Sequence, residues 1–182
     1  MEDYTEKKLR TINGYRGVIV DVTLDTISLP NGDTSFREIV RHPGGVTVLA
    51  IDEEGCTFCV RQFRYAFSRH LIELPAGKLE KGEDPFEAAK RELSEETGLV
   101  ADEWTDLGSI VSSPGFTDEV LYMYMARGLH RGEAHPDDDE FLDTIRIPVS
   151  ELREKILRNE ISDGKTVACV LKGCAVLEGM GE

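Results

Sequence analysis

The sequence predicts an α/β protein in which helices pack on a mixed β-sheet, and two observations support this class. Segments in which apolar and polar residues alternate, as they do in strands, dominate residues 15–77. Helical patterns then occur at 84–98, 151–160 and 165–178, with further strand-like segments between the first two. This order of strands, helix, strands and helices is typical of a sheet that carries helices.

The first predicted strands form a hairpin. Residues 15–42 alternate between apolar and polar on both sides of Pro30-Asn31-Gly32-Asp33, whose residue types favour a tight turn. A second strand pair, 46–51 and 56–63, is predicted around the turn 52–55. The other strand candidates are 70–77, 107–113, 119–129 and 144–150.

The predicted helices begin and end at suitable capping residues. Asp84 suits the N-cap, because its carboxylate can accept hydrogen bonds from the first free N–H groups. Pro85 fits the first helical position, where no amide hydrogen is needed, and Gly98 is expected to end this helix. Ser150 is expected to cap the helix at 151–160.

Charge restricts the partners of this chain of 182 residues, which has 35 acidic and 21 basic side chains and a formal net charge of −14. Such a surface repels phosphate backbones and anionic lipids, so we expect neither nucleic acid nor a membrane as partner. The first residues lack the apolar core of a signal peptide, and no run of eighteen apolar residues occurs. We therefore expect a soluble, cytoplasmic protein, in which an anionic substrate would need a metal ion or clustered arginines.

The four cysteines allow two interpretations. Cys56 and Cys59 form a CxxC spacing, which occurs in zinc and redox sites. They lie in the strand-like segment CTFCVRQF, however, and Cys169 and Cys174 lie in an apolar helical pattern. We therefore favour buried, reduced thiols, which behave as small apolar side chains.

The segment Gly77–Leu99, GKLEKGEDPFEAAKRELSEETGL, is rich in glutamate. A helical projection places its apolar residues on one stripe: Phe86, Ala89 and Leu93. Glu92 and Glu96 lie at the edge of this stripe with Glu95 beside them, whereas acids on a solvated face would lie opposite it. Spacing alone leaves open a charged surface helix or a set of carboxylates that holds a divalent cation.

The same segment carries a longer pattern: Gly, five residues, Glu, seven residues, then Arg-Glu-apolar-x-Glu-Glu-x-Gly-apolar. This pattern resembles the signature of the Nudix hydrolases at every position. The matching residues are Gly77, Glu83, Arg91, Glu92, Leu93, Glu95, Glu96, Gly98 and Leu99. The resemblance implies an α/β Nudix fold, a mixed β-sheet sandwiched between helices (α/β/α), with an N-terminal β-hairpin extension. It also implies cleavage of a pyrophosphate bond in a nucleoside diphosphate linked to a second group.

The resemblance further implies a metal site. Glu92 and Glu96 match the principal metal ligands, Glu95 completes the site, and the carbonyl of Ala76 matches a further ligand. The expected ion is Mg²⁺, with Mn²⁺ as an alternative.

Three other motif positions would support this site. Arg91, which we count with Glu95 among the catalytic residues, can orient the acids through charge-assisted hydrogen bonds. Glu83 would brace the loop before the helix. Gly77 would let that loop turn, so that its backbone approaches the metal.

Two further segments indicate the substrate class. ELPAGKLE (73–80) and SSPGFTDE (112–119) resemble the ADP-ribose pyrophosphatase subfamily, and the likeness extends to REIVRHPGGV, VRQFR and the C-terminal SDGKT. The subfamily implies a homodimer in which N-terminal strands help to build a shared site. We therefore expect residues 1–45 to form a β extension for dimerisation and residues 46–182 to form the Nudix hydrolase domain.

The subfamily also implies which residues contact the substrate: Arg37, Arg64, Glu73, Pro114 and Gly115. Fixed arginines would offset the negative surface, since guanidinium groups bind phosphate bidentately. By residue type alone, either arginine could form a surface ion pair instead, and Pro114-Gly115 could be an ordinary turn.

The catalytic base is expected on the acidic loop 131–143, RGEAHPDDDEFLD. Alignment from the following strand places Asp138 at the subfamily's glutamate position and Glu140 two residues later. We predict Glu140 as the base, because its longer side chain matches the usual chemistry. Asp138, Glu95 and a merely solvated acidic loop are the alternatives.

The resemblance thus implies Mg²⁺-dependent hydrolysis of ADP-ribose, a small-molecule nucleotide sugar, to AMP and ribose 5-phosphate. Another nucleotide sugar, such as GDP-mannose, is one alternative substrate. A non-catalytic Nudix-fold nucleotide sensor is a second alternative, against which the intact acids at 92, 95 and 96 argue.

Overall fold

The structure of the protein is a computed structural model that describes residues 2–132 and 141–179. The chain divides into two compact units. The first contains the residues up to Gly44 together with Val111–Val120, and the second contains Gly45–Ile110 and the residues from Leu121 onward. None of the helices in the described ranges is both long and apolar enough to cross a membrane.

The first unit is built on a three-stranded antiparallel sheet, ordered β1-β2-β3. Its strands are β1 (Lys7–Arg16), β2 (Asp21–Ser28) and β3 (Thr34–Arg41). The predicted hairpin is confirmed as β2 and β3, whose turn contains Gly32 with a φ of 91°. β1 was not predicted as a strand, and its ten residues are all exposed.

The second unit contains the three α-helices of the described residues and the remaining strands, apart from Val111 and Val120 at two strand ends. The strands are β4 (Gly45–Ala50), β5 (Cys56–Arg64), β6 (Arg69–Glu73), β7 (Ala76–Lys78), β8 (Leu99–Val111), β9 (Val120–Arg131) and β10 (Leu142–Pro148). The helices are α1 (Pro85–Thr97), α2 (Val149–Leu157) and α3 (Gly164–Gly179), and a 3₁₀ turn spans Tyr65–Phe67.

These strands form two sheets, ordered β7-β4-β9-β8 and β10-β5-β6. The first is mixed, because β4 pairs with β9 in parallel and with β7 antiparallel. The predicted pairing of 46–51 with 56–63 is wrong. β4 and β5 share only the isolated bridge Ile51–Thr57, and each strand completes its hydrogen bonds within its own sheet.

β4 lies at the centre of this fold and is buried along its whole length. One of its faces contributes Val46, Val48 and Ala50 to a cluster with Ala88, Ala89 and Leu93 of α1. Its other face contributes Leu49, together with Ile51 just beyond the strand, to a cluster with Leu152, Ile156, Cys169 and Val170 of α2 and α3. Because alternate residues of a strand point to opposite faces, β4 has helices on both sides. The predicted α/β/α sandwich is confirmed.

The capping predictions for α1 are confirmed, and the one for α2 is wrong. The Asp84 carboxylate accepts hydrogen bonds from the N–H of Phe86 at 2.9 Å and of Glu87 at 3.3 Å. Gly98 ends α1 in the left-handed region, with φ at 68°. α2 already begins at Val149, so Ser150 lies inside its first turn and caps nothing.

All four cysteines are free thiols. Cys59 and Cys169 are fully buried, and burial raises the pKa of each thiol to about 12. These cysteines are therefore protonated core residues, as the alternating pattern around Cys59 predicts.

Candidate active site

Two acidic residues of α1, Glu92 and Glu96, do not lie on a solvated face. Glu92 and Glu96 are only 8% and 6% exposed, although each carries a carboxylate. Leu93, between them in sequence, is completely buried. The structure therefore places both glutamates beside the apolar stripe of the helix, where the projection put them, and the explanation as an ordinary surface helix fails.

Arg91 gathers three of the four acids of the motif. Its Nη1 donates to Glu92 Oε1 and to Glu95 Oε2, both at 2.8 Å. Its Nε and Nη2 form a two-pronged pair with Glu83 at 2.9 and 3.0 Å, and Nη2 also donates to the carbonyl of Lys78 at 3.3 Å. One guanidinium thus orients three carboxylates, as a charge-assisted donor can.

This arrangement shifts the pKa of both partners. The hydrogen bonds from Arg91 lower the pKa of Glu83, which keeps that carboxylate ionised. The hydrogen bond to Glu83, the charge of Glu92 and the hydrogen bond to Glu95 raise the pKa of Arg91 far above its usual range. Glu83 also accepts the N–H of Glu80 at 2.8 Å, so it braces the loop before the helix in this structure.

Gly77 is a glycine for a different reason from the predicted one. It lies in β7, and it is not among the glycines whose φ is positive. A β carbon at this position would overlap the carboxylate of Glu92. A β carbon at Gly45, its neighbour on β4, would lie 2.7 Å from the Gly77 carbonyl oxygen. The two glycines therefore allow β4, β7 and α1 to approach closely.

Glu96 is tied to the segment that precedes this glycine. The N–H of Ala76 donates to Glu96 Oε2 at 2.9 Å. β4 holds the same segment, because the Pro75 carbonyl accepts the N–H of Val48 at 2.9 Å and the Thr47 hydroxyl at 3.2 Å. The backbone at Ala76 and the acids of α1 are thus brought together at the β7 edge of the sheet.

The chemistry of this donor set fits a hard divalent cation. Three carboxylates from one helix and a nearby backbone carbonyl are oxygen ligands, which Mg²⁺ prefers. Within the described ranges, no three His, Cys, Asp or Glu side chains are grouped closely enough to hold a metal ion. Arg91 lies between Glu92 and Glu95 instead, so a bound cation would compete with its guanidinium.

Arg64 and Glu73, two predicted substrate contacts, form a bidentate pair. Arg64 donates from Nε to Oε1 at 2.7 Å and from Nη2 to Oε2 at 2.6 Å. The Glu73 side chain is 1% exposed and that of Arg64 is 40% exposed, so the arginine is the accessible member. Hydrogen bonding to Glu73 raises the pKa of Arg64, and the charge of Glu96 adds to this effect.

The other predicted substrate contacts lie in the first unit. Arg37 pairs with Glu6 through Nε at 3.1 Å and through Nη2, and its Nη1 donates to the Phe36 carbonyl at 2.9 Å. Pro114 and Gly115 lie in a turn, in which the Ser113 carbonyl accepts the N–H groups of Phe116 and Thr117, each at 3.1 Å.

Asp118 fastens this turn to the end of β3. Its Oδ2 accepts from Arg41 Nη1 at 2.8 Å, and its Oδ1 accepts the N–H of His42 at 3.0 Å. The N–H of Val40 also donates to the Phe116 carbonyl at 2.7 Å. The turn is therefore held by side-chain and backbone bonds within its own unit.

Some of the predicted site lies beyond the described residues, and some of the site was missed. Glu140 and Asp138, the two candidate bases, lie outside the described residues. Three residues around Glu73 were not singled out from the sequence: Asp163, Lys165 and Thr166. The only signal for them was the SDGKT segment, because pattern analysis does not reveal that a lysine near a helix start is buried against a distant carboxylate.

The chain belongs to the Nudix family: its residues 41–168 match the NUDIX domain. This match includes β4 to β10, α1 and the acids that Arg91 gathers. The family match therefore covers the centre of the fold and the acid site on α1.

Individual relatives cover nearly the whole chain. A methanol dehydrogenase activator from Bacillus methanolicus is 45% identical over 169 residues, which are 92% of this chain and 91% of that protein. An ADP-ribose pyrophosphatase from Bacillus subtilis (strain 168) is 38% identical over 172 residues, 93% of each chain. The crystal structure of an ADP compounds hydrolase superposes with a TM-score of 0.87 at 20% identity, covering 100% of this chain and 99% of that one. At that identity the superposition shows the fold alone.

Proposed function

We propose that this protein hydrolyses the diphosphate bond of ADP-ribose to give AMP and ribose 5-phosphate. The observation that carries the proposal is the set of motif acids on α1: Glu92 and Glu96 are buried, Arg91 holds Glu92 and Glu95, and Gly77 leaves room for the Glu92 carboxylate. Similarity over nearly the full length to a protein named ADP-ribose pyrophosphatase supports the substrate.

Glu92, Glu95 and Glu96, with the carbonyl of Ala76, would hold the metal ion, Mg²⁺ or in its place Mn²⁺. When bound, such an ion offsets the charge of the diphosphate and lowers the pKa of a bound water. Arg91 would then act as a counter-charge that preorganises the acids and gives up part of its hydrogen bonding as the ion enters. The fold needs such a counter-charge, since several half-buried carboxylates without a partner would repel one another.

Cations must also hold the substrate against the net charge of −14. Arg64 is suited to this, because Glu73 fixes its guanidinium while its side chain remains 40% exposed. Arg37, Pro114 and Gly115 would bind the rest of the nucleotide sugar. Glu73 would act on the substrate through Arg64, since its own carboxylate is buried.

The reaction itself requires a proton acceptor. Water attacks one phosphorus atom in line, a carboxylate takes its proton, and the bond between that phosphorus and the bridging oxygen breaks. We propose Glu140 for this role, with Asp138 and Glu95 as alternatives. Arg91 Nη1 already donates to Glu95 Oε2 at 2.8 Å, so we place Glu95 last among the three candidates.

Assembly and location complete the proposal. We propose a cytoplasmic homodimer in which residues 1–45 provide the contact and help to build a shared site, while residues 46–182 form the hydrolase domain. Three apolar side chains of β1 are exposed, those of Leu9, Ile12 and Tyr15, which supports a role in contact.

The proposal is tested by incubating the protein with a panel of nucleotide sugars and Mg²⁺, with products identified by mass. We expect ADP-ribose to yield AMP and ribose 5-phosphate, and a matched reaction with EDTA to yield neither. Faster cleavage of GDP-mannose would favour the alternative substrate. Binding of nucleotide sugars without turnover of any of them would favour the nucleotide sensor.

A second candidate function follows from the relative that is 45% identical and is named a methanol dehydrogenase activator. This chain would then stimulate a dehydrogenase. The test is to measure methanol oxidation by the Bacillus methanolicus dehydrogenase with and without this protein. Stimulation that disappears in the variant Glu96→Gln would link this function to the same site, and no stimulation would leave hydrolysis of free ADP-ribose as the only proposal.

A further inference from the structure

A series of alternating charges links Arg64 to the start of α3. Glu73, at the end of β6, accepts two hydrogen bonds from Arg64, and Lys165 Nζ also donates to its Oε2. Lys165 in turn lies 3.0 Å from Asp163 Oδ2. Starting at Asp163, the charges are therefore minus, plus, minus and plus, and the series ends on the Arg64 guanidinium.

The side chains in this series of charges differ in how exposed they are to solvent. The side chains of Glu73 and Lys165 are 1% and 13% exposed, whereas that of Arg64 is 40% exposed. Only Arg64 is thus well placed to meet a phosphate group. Lys165 is too buried to be an ordinary surface lysine, and a buried ammonium is retained only where it has hydrogen-bonded anionic partners.

The start of α3 fixes the Asp163 end of this series of charges. Asp163 Oδ2 accepts the N–H of Thr166 at 3.0 Å and its hydroxyl at 2.7 Å. The same hydroxyl oxygen accepts the N–H of Leu74 at 2.9 Å. The helix start and the residue after β6 are therefore joined beside Glu73, and Lys165 has little freedom to leave it.

We infer that Lys165 is a positioning residue for the diphosphate of the substrate, because it holds Glu73, which holds Arg64. The inference rests on the proposed function for the identity of the substrate. Lys165 takes part of the charge of Glu73 at Oε2, and the bidentate bonds fix the Arg64 plane through Nε and Nη2 without involving Nη1. A guanidinium that is fixed before binding avoids the cost of ordering a long side chain, which corresponds to about two- to tenfold in affinity.

The test is a double-mutant cycle on Lys165 and Arg64. KM and kcat for ADP-ribose are measured at saturating Mg²⁺ for wild type, Lys165→Met, Arg64→Ala and the double variant. We expect Lys165→Met to raise KM about two- to tenfold with kcat nearly unchanged, and to have no further effect when Arg64 is already alanine. Lys165→Arg, which keeps the charge, should restore much of the affinity.

The matched control is Lys155→Met on α2. Lys155 is also ion-paired, to Glu151 at 3.6 Å and Glu160 at 3.3 Å, and we expect its loss to leave KM and kcat unchanged. If Lys165→Met does not fold, the double variant Glu73→Gln/Lys165→Met is used in its place. It removes the buried charge together with its partner, and the same rise in KM is expected. The inference is overturned if Lys165→Met leaves KM unchanged, or if it raises KM equally in the presence of Arg64 and in the Arg64→Ala background.

A second measurement separates this inference from the proposed function. Binding of inorganic pyrophosphate is followed by calorimetry across the same four proteins, and it requires no turnover. The effects of Lys165 and Arg64 on pyrophosphate binding could be coupled in a protein that does not cleave ADP-ribose. That result would reject the proposed function and support the positioning role. If ADP-ribose is cleaved and neither assay shows such coupling, the proposed function is supported and the positioning role is rejected.

Discussion

Replacing Gly77 with alanine should weaken metal binding as well as lower the stability of the fold. The added β carbon would overlap the carboxylate of Glu92. That carboxylate is the end of a flexible side chain, so it should move in preference to the backbone of β7. It cannot move freely, however, because the Glu92 side chain is 11% exposed and Arg91 Nη1 holds its Oε1 at 2.8 Å.

The size of each effect can be worked out separately. Forcing one methyl group into a packed site costs about 1–3 kcal/mol. For a chain of this length each kcal/mol lowers Tm by about 2–4 °C, which gives a loss of about 2–12 °C without metal. A tenfold loss of Mg²⁺ affinity removes a further stabilisation of about 1.4 kcal/mol when Mg²⁺ is in excess.

Thermal unfolding in EDTA and in excess Mg²⁺, together with kcat for ADP-ribose, measures both effects. The matched control is Gly179→Ala at the end of α3, where an added β carbon meets no atom within 4 Å. We expect the rise in Tm caused by Mg²⁺ to shrink in Gly77→Ala and to stay unchanged in the control. A full Mg²⁺ shift and a normal kcat in Gly77→Ala would refute the argument from close approach.

Three further predictions concern the base, the acid cluster and the assembly. Glu140→Gln should lower the single-turnover rate by about 10²–10⁴-fold and Asp138→Asn much less; the opposite order would move the role to Asp138. Arg91 lowers the pKa of Glu83, so this contact stabilises the fold above the unfolded pKa of roughly 4.3, and the stability is lost as the pH falls through the lower folded value. Arg91→Met should therefore flatten the acid limb of a stability curve measured in EDTA, and an unchanged acid limb would contradict this account. Light scattering should give twice the chain mass of 20.3 kDa, whereas a monomer that cleaves ADP-ribose efficiently would exclude a site shared between subunits.

Local patterns predicted the parts of the fold that depend on local chemistry. The Asp84 cap, the Gly98 stop and the placement of Glu92 and Glu96 beside the apolar stripe all follow from spacing along one helix. The structure agrees with each of them, since helical periodicity is fixed within a few residues.

Features that depend on distant partners were not predictable in this way. β1 has no buried face, so its sequence lacks the alternation that marks a strand. A short turn joins β4 to β5, yet β4 pairs with β7 and β9. β4 is a central strand of its sheet and is buried on both faces.

The candidate active site likewise combines features that the local sequence predicts with features that depend on distant residues. The motif identified the acids of α1, but the reason for Gly77 emerged only when Glu92 was seen against it. Lys165 is more than ninety residues from Glu73 in sequence, and nothing local to either residue indicates their contact.

The central claim is that the acids of α1 serve Mg²⁺-dependent cleavage of ADP-ribose, and one measurement tests it most directly. The rate of AMP formation from ADP-ribose is followed as Mg²⁺ is added back to EDTA-treated wild type and Glu96→Gln, after both are shown to be folded. The amide keeps the size of the side chain but loses the charge that would hold a divalent ion. We expect Mg²⁺ to restore turnover in wild type and to restore almost none in the variant. Equal Mg²⁺-dependent rates in the two proteins would contradict the account.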